Sequence, residues 1–344
     1  MRVKIEDVAK RARVSTATVS LAMNGSDKVS AKTRERIEAI AREMGYQPNP
    51  NAQRLAMRRS RQIGLVVPDI ENTYYAALAQ CILNELLASD YALTISSSMN
   101  SRRMEDRIVA DMIANQVEGL LIAPVEKPNE NIGYLQGLHR AGIPYVFVTA
   151  SYPNLNHPCV MCDLYGGMRQ LLEALHSKGH TRIALLSGTP NVHCFDLRDR
   201  AYLDFIREHG LEGREIRYLH GVHYDDAFRF AQTMDLQGLD AIVCVNDMMA
   251  LGVINALAGR GMRVPEDMAV AGFDDSIFSR VSPVSITTVR QDVRQISVQA
   301  AACVLRLARG EAPGPLPLIP CEVILRQSTD SRMQRNNTER VVTK

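Results

Sequence analysis

"DVAKRARVSTATVSLAMNG", residues 7 to 25, decides how the chain begins. Its middle, Val14 to Ser20, is crowded with β-branched residues and serines, which taken singly suit a strand or a loop. Apolar residues nevertheless recur at helical spacing, with Ile5, Val8 and Ala9 on one side and Val19 and Met23 on the other. The spacing predicts one helix over about Ile5 to Ala12 and a second over about Thr16 to Asn24, the Ser15 hydroxyl capping the second. A turn of only three residues between two helices makes a helix-turn-helix unit. A third helix is expected from about Ala31 to Met44, capped by Ser30, buried through Ile37, Ile40, Ala41 and Met44, and stopped by Gly45.

Such a unit lays its second helix in the major groove of DNA, where the outward face has to be small and polar enough to approach base edges. Thr16, Ala17 and Leu21 point outward if Val14, Val19 and Met23 point inward, and Ser15, Thr18 and Ser20 reach toward phosphates. Poor intrinsic propensity costs roughly a few tenths of a kcal/mol per residue, which packing against the other two helices overrides. Charge agrees. Residues 1–61 hold fourteen Lys and Arg against six Asp and Glu, a balance of +8 that leaves −6 for the remainder of a chain of formal charge +2. A basic head on an acidic body suits a polyanionic partner. The next stretch, "QPNPNAQRLAMRRSRQ" (47–62), places Ala52, Leu55 and Ala56 on one stripe of a helix too short to hold itself. Arg54, Arg58, Arg59 and Arg61 nominate DNA as its stabiliser and Leu55 as a minor-groove wedge. Asn49, Ala52, Arg54 and Leu55 are its candidate DNA contacts. The duller alternative is a small helical bundle with an incidental basic surface, followed by an ordinary Pro-rich linker.

From Ile63 onward, strand-like runs at 63–70, 92–98, 119–124, 144–150, 182–188, 240–245 and 268–274 alternate with helical patterns such as Leu78, Ile82, Leu86 and Leu87. Continuous apolar strands separated by helices imply parallel sheets covered on both faces. The expected fold is an N-terminal all-α helix-turn-helix domain plus an α/β core of two doubly wound parallel-sheet lobes with a cleft between them. The expected divisions are a head at 1–46, a hinge at 47–61, a body at 62–329 and a disordered polar tail at 330–344. Within the body, one lobe takes about 62–162 plus 292–322 and the other about 163–291 plus 323–329. In open α/β sheets ligands sit beyond the carboxyl ends of the strands.

Seven cysteines scattered through apolar segments suit a reducing compartment. The opening residues lack the apolar run of a signal peptide and no segment approaches a membrane span, so a cytoplasmic protein without membrane partners is expected. Cys159 and Cys162 form a lone "CVMC" without a second ligand pair, and His180 reads as part of a helix-to-strand turn; no metal and no cofactor is expected. No P-loop, GxGxxG, GxSxG or HExxH pattern occurs.

The head sequence, together with "IGLVVPDIENTYYAAL", "SKGHTRIALLSG", "VNDMMALGVINAL", "RVPEDMAVAGFDDS" and "TTVRQD", resembles the lactose-repressor and galactose-repressor family of bacterial transcription regulators over residues 3–329. The resemblance implies a homodimer on a palindromic DNA operator and a hinge helix. It also implies a core like periplasmic sugar-binding proteins, controlled by a small effector, most simply a carbohydrate. By position it makes Thr16, Ala17 and Leu21 base-reading residues and Leu55 the hinge wedge. It places Arg198, Asn246 and Asp274 in the cleft, where a fork of donors, an amide and a carboxylate suit a polyhydroxylated ligand. Tyr74, Tyr75 and Tyr224 offer flat faces for a sugar ring, and Asp69 is a further candidate at the end of the first core strand. The plainer roles for these residues are a turn cap for Asp274, a solvated helix position for Arg198 and core packing for the tyrosines. Two departures from the family pattern stand out. Leu21 replaces the polar or basic residue common there, which favours an apolar contact over bidentate guanine readout. Arg13 occupies the place of a glycine in the helix turn, where positive φ would strain it by roughly 1 kcal/mol.

Two other classes compete. A transport-type binding protein for a sugar or purine, without DNA function, does not explain the basic head. An α/β dehydrogenase would need phosphate-cradling glycines after Val67.

Overall fold

The computed structural model describes residues 3–23, 25–46, 60–125, 132–152, 155–190, 192–211 and 215–330. The chain divides into two compact units, residues 1–60 and 61–344.

The first unit is built on α1 (Ile5–Ala12), α2 (Thr16–Met23) and α3 (Ala31–Glu43). Acidic Glu6 and Asp7 open α1 and basic Lys10 and Arg11 close it, which complements the helix dipole. The Ser15 hydroxyl accepts the Thr18 N–H at 3.1 Å, and Ser30 accepts that of Thr33 at 3.3 Å. Gly45, at φ 65°, ends α3 in the left-handed conformation that glycine adopts without strain. Val8, Val19, Ala22 and Ile37 are fully buried and close the core. The β-branched run is thus helical because Val19 and Ala22 fit between α1 and α3, the small Ala22 allowing close approach.

The second unit opens with β1 (Gln62–Val67), α4 (Thr73–Leu87), β2 (Ala92–Ser97), α5 (Arg102–Ala114), β3 (Gly119–Ile122), α6 (Tyr134–Ala141), β4 (Tyr145–Val148) and β5 (Cys159–Val160). These strands form a parallel sheet in the order β2-β1-β3-β4-β5. Next come α7 (Leu164–Ser177), β6 (Ile183–Ser187), α8 (His193–Glu208), β7 (Glu215–Tyr218), α9 (Tyr224–Thr233), β8 (Ala241–Cys244), α10 (Asp247–Gly259) and β9 (Ala269–Ala271). They give a second parallel sheet in the order β7-β6-β8-β9. After α11 (Ile277–Val281), an antiparallel pair, β10 (Thr288–Arg290) and β11 (Glu322–Ile324), brackets α12 (Val293–Ala308). Helix α12 packs back on the first sheet, where the missing side chain of Gly119 makes room for Val304, and Ser297 Oγ donates to the Leu78 carbonyl at 3.4 Å. Among the described residues no helix is long and apolar enough to cross a membrane.

All seven runs read from the sequence contain strands, each ending earlier than its apolar run. The first stops at Val67 because Pro68 has no N–H to extend the ladder. β5, β7, β10 and β11 are additional, two to four residues long, and too short to show a period.

Candidate functional site

In the head, Thr16, Ala17 and Leu21 form the exposed face of α2, with Leu21 37 % exposed. Val19 is buried and Val14 and Met23 are half-buried, as the outward reading requires. Ser15 and Thr18 are hydrogen-bonded to each other through their hydroxyls at 2.8 Å. Their first role is therefore the cap of α2. Ser20 is half-buried on the same helix. Arg13 closes α1 at φ 54°, the left-handed strain expected for a non-glycine residue there. Asn49, Ala52, Arg54 and Leu55 lie outside the described residues.

In the body, one cavity of about 560 Å³ lies where the two parallel sheets present their carboxyl ends. Pro68 follows β1, Asn100 β2, Pro124 β3, Thr149 β4, Thr189 β6, His220 β7, Val245 β8 and Asp274 β9, and every one of these lines it. Each sheet reverses its strand order beside its first strand, which opens a crevice at that end. Asp69, Tyr74, Tyr75, Arg198, Asn246 and Asp274 all reach this cavity.

Tyr224 does not. Helix α9 crosses α10 at Gly252, where any Cβ would stand 2.5 Å from the Tyr224 carbonyl oxygen. The ring stacks on Phe228 at 5.7 Å, and its hydroxyl accepts from Asn255 Nδ2 at 3.0 Å. The duller reading, packing, holds for this tyrosine.

Arg198 is only 6 % exposed, its guanidinium lying 4.3 Å from the Phe273 ring centroid. Its buried Nε has no hydrogen-bond partner among the described residues, so it is a donor open to an incoming acceptor. Asp274, held at φ 104°, accepts from Gln291 Nε2 at 2.7 Å. Burial pushes its carboxyl up to about 6, while Arg198 and the Gln291 bond pull it back. Burial also keeps the Tyr74 hydroxyl protonated, and it donates to Gln291 Oε1 at 3.2 Å. Behind Asp274, fully buried Asp247 accepts from Thr288 Oγ1 at 2.6 Å and from the Ser276 N–H at 2.7 Å. Burial, with Asp274 adding to it, raises the Asp247 carboxyl to about 8. Asn246 caps α10 by accepting the Met249 N–H at 2.8 Å, and its amide donates to the Val222 carbonyl at 2.8 Å. One further donor and one lone pair remain for a ligand. Asp69 faces His223 Nε2 at 3.7 Å across the cavity.

Sequence reasoning missed Phe195, His220, His223 and Gln291 among the lining residues. His220 could have been found as a residue just past a strand end, but β7 itself was not read. Cys159 and Cys162 do not act as a pair: the Cys159 thiol donates to the Ala150 carbonyl at 3.5 Å, and the Cys162 thiol is instead hydrogen-bonded with that of Cys321. No group of three or more His, Cys, Asp or Glu able to hold a metal occurs among the described residues. His180 sits in the α7-to-β6 turn against Asp240 at 3.6 Å.

Residues 4–49 match the model of bacterial regulatory proteins of the lacI family, and residues 172–329 match the periplasmic binding protein-like domain. The transcriptional repressor CytR of Escherichia coli K12 is 30 % identical, the match covering 94 % of this chain and 96 % of that one. Catabolite control protein A of Priestia megaterium is 29 % identical over 96 % of this chain and its own entire length. Among solved structures, the lac repressor dimer bound to operator and the anti-inducer ONPF superposes with a TM-score of 0.85 at 27 % identity, covering 96 % and 99 % of the two chains. A head that reads as DNA-binding, a cleft built as a binding site, and near-full-length relatives that regulate transcription converge, and the chain belongs to the lacI family of bacterial regulatory proteins: it is a DNA-binding transcription regulator, not an enzyme.

Proposed function

We propose that the protein is a repressor that grips a palindromic operator as a homodimer and changes its grip when a polyhydroxylated metabolite, a sugar or sugar derivative, occupies the cleft. The observation that carries the ligand class is the buried, unsatisfied Nε of Arg198 beside the Asp274 carboxylate, donor and acceptor set for adjacent hydroxyls. The CelR regulator, similar in structure with a TM-score of 0.69 at 27 % identity, was solved with cellobiose, which supports the same class. Thr16, Ala17 and Leu21 are the base readers and Asn49, Ala52, Arg54 and Leu55 the hinge contacts. Residues 1–46, 47–61 and 62–329 are the working division into head, hinge and effector body. A single recognition helix covers a half-site, so two copies are needed for a palindrome. A cytoplasmic location follows from that target.

Filter binding to a palindromic promoter fragment should weaken steeply, by about 10³-fold or more, between roughly 50 and 200 mM salt. A thermal-shift screen of monosaccharides, glycosides and nucleosides should yield a compound that raises the melting temperature by mass action and shifts the operator isotherm. Equal affinity for promoter and random duplex, with every compound silent, would end this reading.

A further inference from the structure

A charged cluster is buried behind the first-sheet wall of the cavity. Arg102 and Glu105, at the start of α5, have side chains 6 % and 0 % exposed and form an ion pair at 2.9 Å. Both also grip one residue. Glu105 Oε2 accepts the Val125 N–H at 2.7 Å, and Arg102 Nη2 donates to the Val125 carbonyl. The Arg102 guanidinium lies 5.0 Å from the Tyr152 ring centroid and 5.8 Å from that of Tyr134. The Tyr152 hydroxyl reaches the Val125 carbonyl as well, at 3.5 Å.

None of these four side chains lines the cavity, whereas Pro124, Val125, Thr149 and Ala150 do. The ladder of β3 ends with the Ala123 N–H on the Val66 carbonyl, and Pro124 has no N–H to offer. Beyond that point the buried backbone of Val125 needs partners from elsewhere. Buried ion pairs contribute little net stability compared with apolar residues of the same volume. What this pair supplies, and apolar residues could not, is one acceptor and one donor for a single backbone unit.

We propose that the Arg102–Glu105 pair is a specificity-determining support: it fixes Pro124 and Val125 as an apolar plate across the cavity from Arg198 and Asp274. The cleft then selects a ligand that carries an apolar or flat group opposite its hydroxylated end. The ligand half of this inference rests on the effector reading above; the support itself does not. Arg102 and Glu105 are positioning residues, acting through Val125.

Either single truncation would leave a buried charge unpaired and unfold the lobe, so the test uses the full chain with Arg102→Met and Glu105→Leu combined. Amide exchange in the ligand-free protein is expected to speed up at Val125 by about tenfold or more while the amides of Leu120–Ile122 stay slow and the melting temperature stays near wild type. Arg102→Met combined with Glu105→Gln keeps an acceptor for the Val125 N–H without an unpaired charge and should keep that amide slow. Thermal shifts with D-glucose, phenyl β-D-glucopyranoside, D-ribose and adenosine should show wild type favouring the two compounds that carry an aromatic group, and the Arg102→Met, Glu105→Leu double variant losing that preference. Wild-type protection of Val125 in the double variant overturns the support. A freed Val125 with an unchanged preference overturns its role in selection. If none of the four compounds moves the wild type while another member of the wider screen does, the aromatic preference falls and the effector reading stands; exchange at Val125 decides the support in either case.

Discussion

Arg198 combines two opposed features at the scale of one side chain: it is stacked and almost fully buried, yet among the described residues its Nε has no acceptor. Burial without satisfaction is costly, and a ligand hydroxyl or ring oxygen would relieve it. Replacing Arg198 with Ala should weaken effector binding by roughly 10- to 100-fold, the equivalent of about 1.5–3 kcal/mol for a hydrogen bond to a charged group. Operator affinity without effector should stay within about threefold of wild type. Titration of effector against operator-bound protein checks both, and a variant that still responds at the wild-type midpoint would remove Arg198 from the site. Asp247 gives a second test. Its carboxyl, ionising near 4 when unfolded, holds its proton in the fold up to about 8. Across that window the native state binds the extra proton, so stability falls as pH rises. Asp247→Asn should therefore gain on wild type between pH 5 and pH 8 in urea unfolding, and a constant difference would show that Asp247 ionises normally.

Helices and strands differ in how plainly the sequence announces them. α1 runs over the residues its apolar period predicts, and α2 is readable only because Val19 and Met23 keep helical spacing through residues that individually resist it. β10 and β11, three residues each, have no room for a period, and their pairing joins positions more than thirty residues apart. The cleft shows the same division. Strand ends legible as apolar runs lead directly to Pro68, Pro124, Thr149 and Asp274. Gln291, His223 and Phe195 arrive from a lobe connection and from helix starts, whose placement depends on packing that no local pattern records. Tyr224 was misplaced because a tyrosine at a helix start serves equally as lining or as a cross-helix contact, and Gly252 decides the matter. Gly252→Ala puts a methyl 2.5 Å from one backbone atom of α9 and 3.0 Å from another. Backbone cannot rotate aside, so a loss of about 1–3 kcal/mol is expected, read as a lower urea midpoint.

On the scale of the whole molecule, the DNA-reading and cleft-bearing portions are separate compact units, so damage to one should spare the other. Leu55→Ala, removing the proposed wedge, should reduce operator affinity by roughly tenfold or more if it withdraws an unstacking contact worth a few kcal/mol, while calorimetry of effector binding returns the wild-type constant. Equal operator affinity would remove the wedge from the account. The chain of bonds from Tyr74 through Gln291 to Asp274 spans the two halves of the body. Gln291 engages one carboxylate oxygen of Asp274, Oδ1, which leaves the second oxygen to accept from an incoming hydroxyl. With one oxygen pinned in this way, the carboxyl cannot turn to follow a guest, and only a hydroxyl arriving along the direction of the second oxygen is met.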